Sequence, residues 1–212
     1  MGEKKITWTQ QQKRAIEARG SDRLPEGTKQ VLFPIEAGGG LVVEAGKARN
    51  TGDFSKVPAD LNPKFHELLA EEAKEQYAAL IREIIASDGA PLAYHCSHGI
   101  HRTGTATAII LSAVGVPWET VREDYLLSNK TRAEEIEKRT EQLRQLAAGT
   151  FGIPEEEVDM TNIKAFYILE GDYIDGTLNV ITAEYGDIEA YLTKGLGLTT
   201  EEVEQLRELL LD

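Results

Sequence analysis

The 212-residue sequence contains a single cysteine, and the lack of a second thiol excludes any internal disulfide. No apolar run approaches the roughly 20 residues that a helix needs to cross a bilayer. The start of the chain also lacks an apolar segment of the signal-peptide kind. We therefore expect a protein of the reducing cytoplasm, although the sequence leaves export open.

Cationic residues are scarce as well, since 23 Lys and Arg stand against 36 Asp and Glu and give a net charge of −13. This balance argues against general affinity for nucleic acids or acidic membranes. The deficit is uneven, because residues 1–50 hold nine cationic side chains against six acidic ones. If a protein this acidic binds an anionic group, it has to do so at a local positive site.

The only cysteine, Cys96, lies in the segment LAYHCSHGIHRTGTATAII at residues 92–110, between an apolar run and a predicted helix start. The first N–H groups of a helix have no internal partner and carry the positive end of its dipole. A loop that leads into them can therefore surround an oxyanion. Gly99 allows that loop to turn, and the Arg102 guanidinium can bind two phosphoryl oxygens. The segment predicts a phosphate-binding loop.

A thiol in such a loop is expected to ionise easily. Helix N-termini and adjacent cations lower a cysteine pKa from about 8.5 into the range of ~3.5–7.5. The thiolate of Cys96 could then attack a phosphomonoester while a general acid protonates the leaving oxygen, and water would afterwards release phosphate. Arg102 and the loop amides would stabilise the phosphoryl oxygens, and Thr103 could both cap the helix and donate its hydroxyl to the sulfur.

Three other interpretations of this segment stay open. Cys96 could be an inert buried residue, or the loop could bind phosphate without turning it over. The third is a metal site, because His95, Cys96, His98 and His101 are all potential ligands. Against it, Arg102 adds a cation, a helix N-terminus favours anions, and a strand would point His95 away from Cys96. We therefore expect neither a metal nor another cofactor.

The segment resembles the signature of the cysteine-dependent protein tyrosine phosphatases, which is His-Cys, five residues, and Arg-Ser/Thr-Gly. The chain is most similar to the bacterial atypical tyrosine phosphatases, which often have dual specificity. Segments 115–129 and 183–211 also resemble the corresponding parts of that family. The resemblance implies phosphate contacts from the whole loop and support from its two flanking residues. The phosphate-binding residues would be Ser97, His98, Gly99, Ile100, His101 and Arg102, and the supporting residues His95 and Thr103.

Two positions depart from that family. Its members commonly carry Lys-Asp before the arginine, where this chain has Ile100 and His101. Losing the lysine weakens the case for phosphoinositide activity, and losing the aspartate leaves the general acid open. His101 occupies the equivalent position and titrates near neutrality, so it is the first candidate. Asp60 is the next candidate and Asp53 the third, and both lie in the long predicted loop at 44–63, a candidate lid.

The remaining pattern predicts one α/β domain over residues 1–212. It would have a small, mostly parallel sheet flanked by helices and a helical C-terminal flank at 130–212. The individual predicted elements are strands at 29–37 and 91–96 and helices at 6–20, 64–86, 103–115, 117–128 and 131–149, with a final helix that starts at a capping box of Thr199 and Glu202.

The sequence as a whole predicts a protein tyrosine phosphatase, with dual specificity as an extension, that works through a cysteinyl-phosphate on Cys96. Its partners would be phosphorylated proteins or peptides, or a small phosphomonoester, with no nucleic acid and no membrane. The oligomeric state is not indicated. A phosphatase of sugar or inositol phosphates and a non-catalytic phosphate-binding module are the alternatives.

Overall fold

The computed structural model describes residues 24–211. The chain divides into two compact units, Met1–Pro34 and Ile35–Asp212, and every candidate site residue lies in the second. In the first unit, residues 24–34 contain a turn in which the Thr28 N–H donates to the Pro25 carbonyl. The helix predicted at 6–20 lies outside the described residues. That all 212 residues form one domain stays a prediction.

Ten α-helices are found between residues 24 and 211. They are α1 Gly39–Thr51, α2 Leu61–Glu72, α3 Lys74–Ala86, α4 His101–Ala113, α5 Trp118–Thr131, α6 Ala133–Phe151, α7 Thr161–Ala165, α8 Gly171–Val180, α9 Ile188–Ala190 and α10 Thr200–Leu210. A 3₁₀-helix at Glu155–Glu157 and π-helical turns at Ile181–Tyr185 and Tyr191–Gly195 complete the series. None of the described helices is long and apolar enough to cross a membrane.

The predicted α/β fold class is wrong. The structure is 67% helical, and residues 24–211 contain no strand and no sheet. Residues 29–37 and 91–96, both predicted as strands, are irregular backbone, and much of each segment is exposed. A short apolar run supports a strand only when a neighbouring strand pairs with it, and two short candidates make a marginal pair.

Two further predictions about single elements need correction. Residues 44–51, predicted as part of the long loop, belong to α1, which ends at Gly52 with φ 75°. The helix predicted over 64–86 is broken at Ala73, where φ is −103° and ψ is 21°, and forms α2 and α3 instead. The capping box of the final helix is confirmed, with Thr199 and Glu202 each bonding the other's backbone N–H.

The N-terminus of α4 is held by close packing of its neighbours. Helix α8 crosses α2 at Gly176, where a Cβ would overlap the Pro63 carbonyl oxygen. Ile100, the residue before α4, is 2% exposed and belongs to an apolar cluster with Val121 of α5 and Ile174 of α8. Burying a side chain of this size contributes about 1.5–3 kcal/mol, so the end of the loop is firmly anchored.

Candidate functional site

A short loop over residues 97–100 joins Cys96 to α4, whose first residue is His101. Gly99 has φ 69°, a left-handed conformation that glycine adopts without steric penalty. The buried Ile100 fixes the loop against α5 and α8. Arg102 therefore lies within the first turn of α4, and Cys96 precedes that turn. The first N–H groups of the helix, which have no partner inside it, face the loop.

The Cys96 thiol is half-buried, and burial by itself raises its pKa. Hydrogen bonds from the Thr103 hydroxyl and from the N–H groups of His98 and Thr103 outweigh that effect. Together with the Arg102 charge, they lower the pKa of Cys96 to about 7. The Thr103 Oγ1 is buried and no hydrogen-bond partner within residues 24–211 engages its hydroxyl, which leaves that hydroxyl available to donate to the Cys96 thiolate. About half of the thiol is ionised at neutral pH.

Arg102 lies close to the groups that a phosphoryl group would meet. Its charge lowers the pKa values of both Cys96 and His101. The buried Tyr77 of α3 donates its hydroxyl to the Arg102 carbonyl oxygen at 3.4 Å, and burial raises the pKa of that phenol. A neutral phenol at this place supports the backbone of the first turn without adding charge beside the thiolate.

His101 points towards α2. Its Nε2 lies 2.9 Å from Asn62 Oδ1, and its ring contacts the Phe65 ring edge to face at 5.1 Å. Burial, followed by the Arg102 charge, lowers the pKa of His101 to about 3, so the imidazole is neutral near pH 7. Its Nε2–H then donates to Asn62. The general-acid role of His101 stays a prediction, and these contacts do not support it, because no imidazolium is present to give a proton.

His66 belongs to a buried polar network that the sequence analysis did not anticipate. Its side chain is fully buried, with Nδ1 2.8 Å from Thr105 Oγ1 and Nε2 3.1 Å from the Tyr125 hydroxyl. Burial lowers the pKa of His66 well below the ordinary histidine value. Gly104 permits this approach, since a Cβ there would lie 3.0 Å from the Tyr125 ring. The network joins α2, α4 and α5 directly beneath the loop.

The two candidate aspartates have different surroundings. The Asp53 carboxylate accepts hydrogen bonds from the Ser55 hydroxyl at 2.6 Å and from its backbone N–H at 3.0 Å, and these lower the pKa of Asp53. Asp53 is therefore engaged in a turn. Asp60 immediately precedes α2, is exposed, and makes no capping bond with its side chain. It is two residues from Asn62, which ties this end of α2 to His101.

The rest of the loop is accessible. Ser97 and Gly99 are exposed, and so is His95, whose Nδ1 lies 3.2 Å from the Cys96 carbonyl oxygen. In the part of the chain that the structure describes, no three His, Cys, Asp or Glu side chains are grouped as metal ligands. This arrangement does not support the metal-site interpretation of the segment.

Two cavities flank the loop. The smaller, about 70 Å³, is lined by Gly99 and Thr103 together with residues of α4, α5 and α8. The larger, about 280 Å³, is lined by His98 together with residues of α1, α6 and Tyr167. Two neighbouring residues of the loop, His98 and Gly99, therefore each line a cavity.

The sequence model of the Tyrosine phosphatase family matches residues 9–212, which include the whole loop. The chain belongs to this family. A Cupriavidus necator protein whose name places it among the tyrosine-protein phosphatases is 28% identical over 134 residues, which are 63% of this chain and 44% of that protein. The triple specificity protein phosphatase PtpB of Mycobacterium tuberculosis is 23% identical over 221 residues, or 93% of this chain and 79% of that protein.

The family predicted from the signature is therefore confirmed, and the predicted enzyme class, a phosphoric monoester hydrolase, agrees with it. The alignment with the Cupriavidus protein spans less than half of that protein's length. In this member of the family, the loop over residues 97–100 joins Cys96 to the helix that contains Arg102.

Proposed function

We propose that this chain hydrolyses phosphotyrosine in proteins or peptides through a cysteinyl-phosphate intermediate. The observation that carries the proposal is the Cys96 thiol, whose pKa is about 7, at the entrance of a helix that holds Arg102 in its first turn. An inert buried cysteine would keep a pKa near or above about 8.5. Family membership supports the same reaction class.

In the first step the Cys96 thiolate attacks phosphorus. The sulfur–phosphorus bond forms as the bond to the tyrosyl oxygen breaks, and that oxygen takes a proton from a general acid. Arg102 and the N–H groups of residues 97–102 stabilise the remaining phosphoryl oxygens, which carry the developing charge. In the second step the same acid, now a base, takes a proton from water. The resulting hydroxide attacks phosphorus, and the sulfur leaves as a thiolate with release of inorganic phosphate.

Asp60 is the general acid that the contacts favour. It lies at the end of α2 that is joined to α4 by the hydrogen bond that His101 donates to Asn62, and its carboxylate caps no helix. Asp53 is less suited, because two hydrogen bonds from Ser55 stabilise its ionised form. His101 is neutral and already donates to Asn62.

The test is turnover of p-nitrophenyl phosphate and of a phosphotyrosine peptide with chelator present. Cys96→Ser should abolish turnover of both while leaving the fold intact, and retained activity in that variant would reject the mechanism. A non-catalytic phosphate-binding module would bind the peptide without any turnover.

The acid is tested by pH–rate profiles of Asp60→Asn, Asp53→Asn and His101→Gln. We expect only Asp60→Asn to lose the basic limb of the profile. It should also slow peptide hydrolysis more than hydrolysis of p-nitrophenyl phosphate, because the nitrophenolate leaves without protonation. The same loss in His101→Gln alone would restore His101 as the donor.

Dual specificity is a second candidate, supported by the likeness to a phosphatase named for triple specificity. Phosphoserine and phosphothreonine peptides, sugar phosphates and inositol phosphates form the comparison panel. Ile100 stands where relatives carry a lysine, so we expect the inositol phosphates to be poor substrates. A cytoplasmic location stays a prediction.

A further inference from the structure

The larger cavity beside the loop has a cationic wall in an otherwise acidic protein. Its volume is about 280 Å³, and Arg49 and Arg139 line it. Asn50, Gln142 and His98 add polar groups to the same cavity. With a net charge of −13, most of the surface repels anions, so two guanidinium groups around one cavity form a local attraction for them.

Close packing of α1 on α6 builds this cavity. Gly52, which ends α1 with φ 75°, sits so near α6 that a Cβ would lie 2.6 Å from the Ala147 backbone nitrogen. The Thr150 hydroxyl also donates to the Thr51 carbonyl oxygen. These contacts hold the last turn of α1, and with it Arg49, beside α6.

Both arginines keep donors free for a ligand. Arg139 uses its Nε to bind Glu135 Oε1 at 2.7 Å, and no other bond of its terminal amino groups is found within residues 24–211. Arg49 forms no ion pair with any residue that the structure describes. Gln142 follows Arg139 by three positions, so the two side chains share one face of α6.

The remaining lining of the cavity is apolar and aromatic, since Leu143, Leu146 and Tyr167 complete it. Guanidinium groups bind carboxylates through paired hydrogen bonds, and apolar walls accommodate a methylene stem. This combination suits a glutamate side chain better than a compact phosphate, which has no apolar part. His98 belongs to both the cavity and the loop, two residues after Cys96.

We propose that this cavity binds an acidic side chain, preferably glutamate, close in sequence to the phosphotyrosine of a peptide substrate. The inference rests on the proposed function and narrows its substrate class. Because His98 lines the cavity and follows Cys96 by only two positions, and one extended residue spans at most about 3.3–3.6 Å, we expect the acidic residue among the nearest neighbours of the phosphotyrosine.

The experiment measures kcat/KM for matched phosphotyrosine peptides that carry either glutamate or glutamine at each position flanking the phosphotyrosine. The wild-type chain should prefer glutamate about tenfold at one position, mainly through KM, as expected for a charge-assisted hydrogen bond. Arg139→Ala and Arg49→Ala should each reduce that preference to about twofold or less. Neither should change turnover of p-nitrophenyl phosphate.

Lys138→Ala is the matched control, because Lys138 precedes Arg139 on the same exposed helix and does not line the cavity. It should keep the glutamate preference. Equal preference in wild type and Arg139→Ala, with p-nitrophenyl phosphate still hydrolysed, overturns the cavity proposal alone. No turnover of any substrate overturns the proposed function and this inference with it. If the two arginines instead favoured a peptide with a second phosphoryl group over one with glutamate, that result would overturn the carboxylate as the group that binds in the cavity.

Discussion

Replacing Thr103 by valine should raise the pKa of Cys96 and suppress its reactivity at neutral pH. The Thr103 hydroxyl is the strongest of the hydrogen-bond donors that lower the thiol pKa to about 7. A hydrogen bond to a charged group contributes about 1.5–3 kcal/mol, and 1.36 kcal/mol corresponds to one pKa unit. The variant should therefore titrate about 1–2 units higher. At pH 7 its ionised fraction would fall from about one half to roughly 1–10%.

Alkylation by iodoacetamide measures this titration directly, because Cys96 is the only thiol of the chain. The pH midpoint of the alkylation rate should lie near 7 in wild type and near 8–9 in Thr103→Val. Thr103→Ser, which keeps a hydroxyl, should stay within about half a unit of wild type. A wild-type midpoint of 8.5 or more, or an unchanged midpoint in the valine variant, would refute the hydrogen-bonding explanation of the thiolate.

Three further predictions concern the surroundings of the loop. His66 and His101 have lowered folded-state pKa values and take up protons on unfolding. The free energy of unfolding should therefore fall as pH drops below about 6.5, by up to ~1.4 kcal/mol per pH unit for each proton taken up. Thermal unfolding between pH 7.5 and 4.5 measures this fall. A melting temperature that does not change with pH would mean that both imidazoles are solvated in the folded protein. His66→Phe strands two buried hydroxyls and should lower the unfolding free energy in urea by about 1–3 kcal/mol; no change would mean the network is not formed. Gly52→Ala should destabilise the chain by at least ~1 kcal/mol and weaken the glutamate preference, whereas Gly149→Ala, with open space around its Cβ, should not destabilise it.

The loop could be predicted from the sequence because its parts are local. Cys96, Gly99 and Arg102 lie within seven consecutive positions, and the helix that follows supplies the N–H groups. No distant contact is needed for the Arg102 charge to act on the Cys96 thiol. The identity of the family followed from the same few residues.

The sheet was mispredicted because strand formation depends on partners elsewhere in the chain. Residues 29–37 and 91–96 have the apolar composition of strands, but residues 24–211 contain no strand to pair with either. The helices were predicted better, since each closes its own hydrogen bonds. Even so, the helix predicted at 64–86 is broken at Ala73, where nothing in the apolar pattern marks a break, and residues 44–51 are helical although they were predicted as loop.

The sequence analysis did not single out His66 for a related reason, although the sequence did contain a signal. Leu69, Ala70 and Ala73 follow it by three, four and seven positions, and all are buried, so His66 continues one apolar face of α2. Its partner Thr105 lies 39 positions away. The pattern could have placed the imidazole inside the protein, but it could not have named the groups that satisfy it.

The chemistry of the site likewise has one part that depends on a short local segment and another that depends on packing between distant segments. Burial raises the pKa of Cys96, and the groups that lower it to about 7 all lie within residues 98–103, one short segment. The proton transfer and peptide recognition that we propose would depend on α1, α2 and α6, which reach the loop only through tertiary packing. His101 illustrates the consequence. Its position in the signature suggested an acid, but burial, followed by the Arg102 charge, lowers its pKa to about 3, and its imidazole contacts Asn62 and Phe65 of α2. A segment can therefore define the reaction while the helices packed around it decide which group supplies the proton and which substrate is admitted.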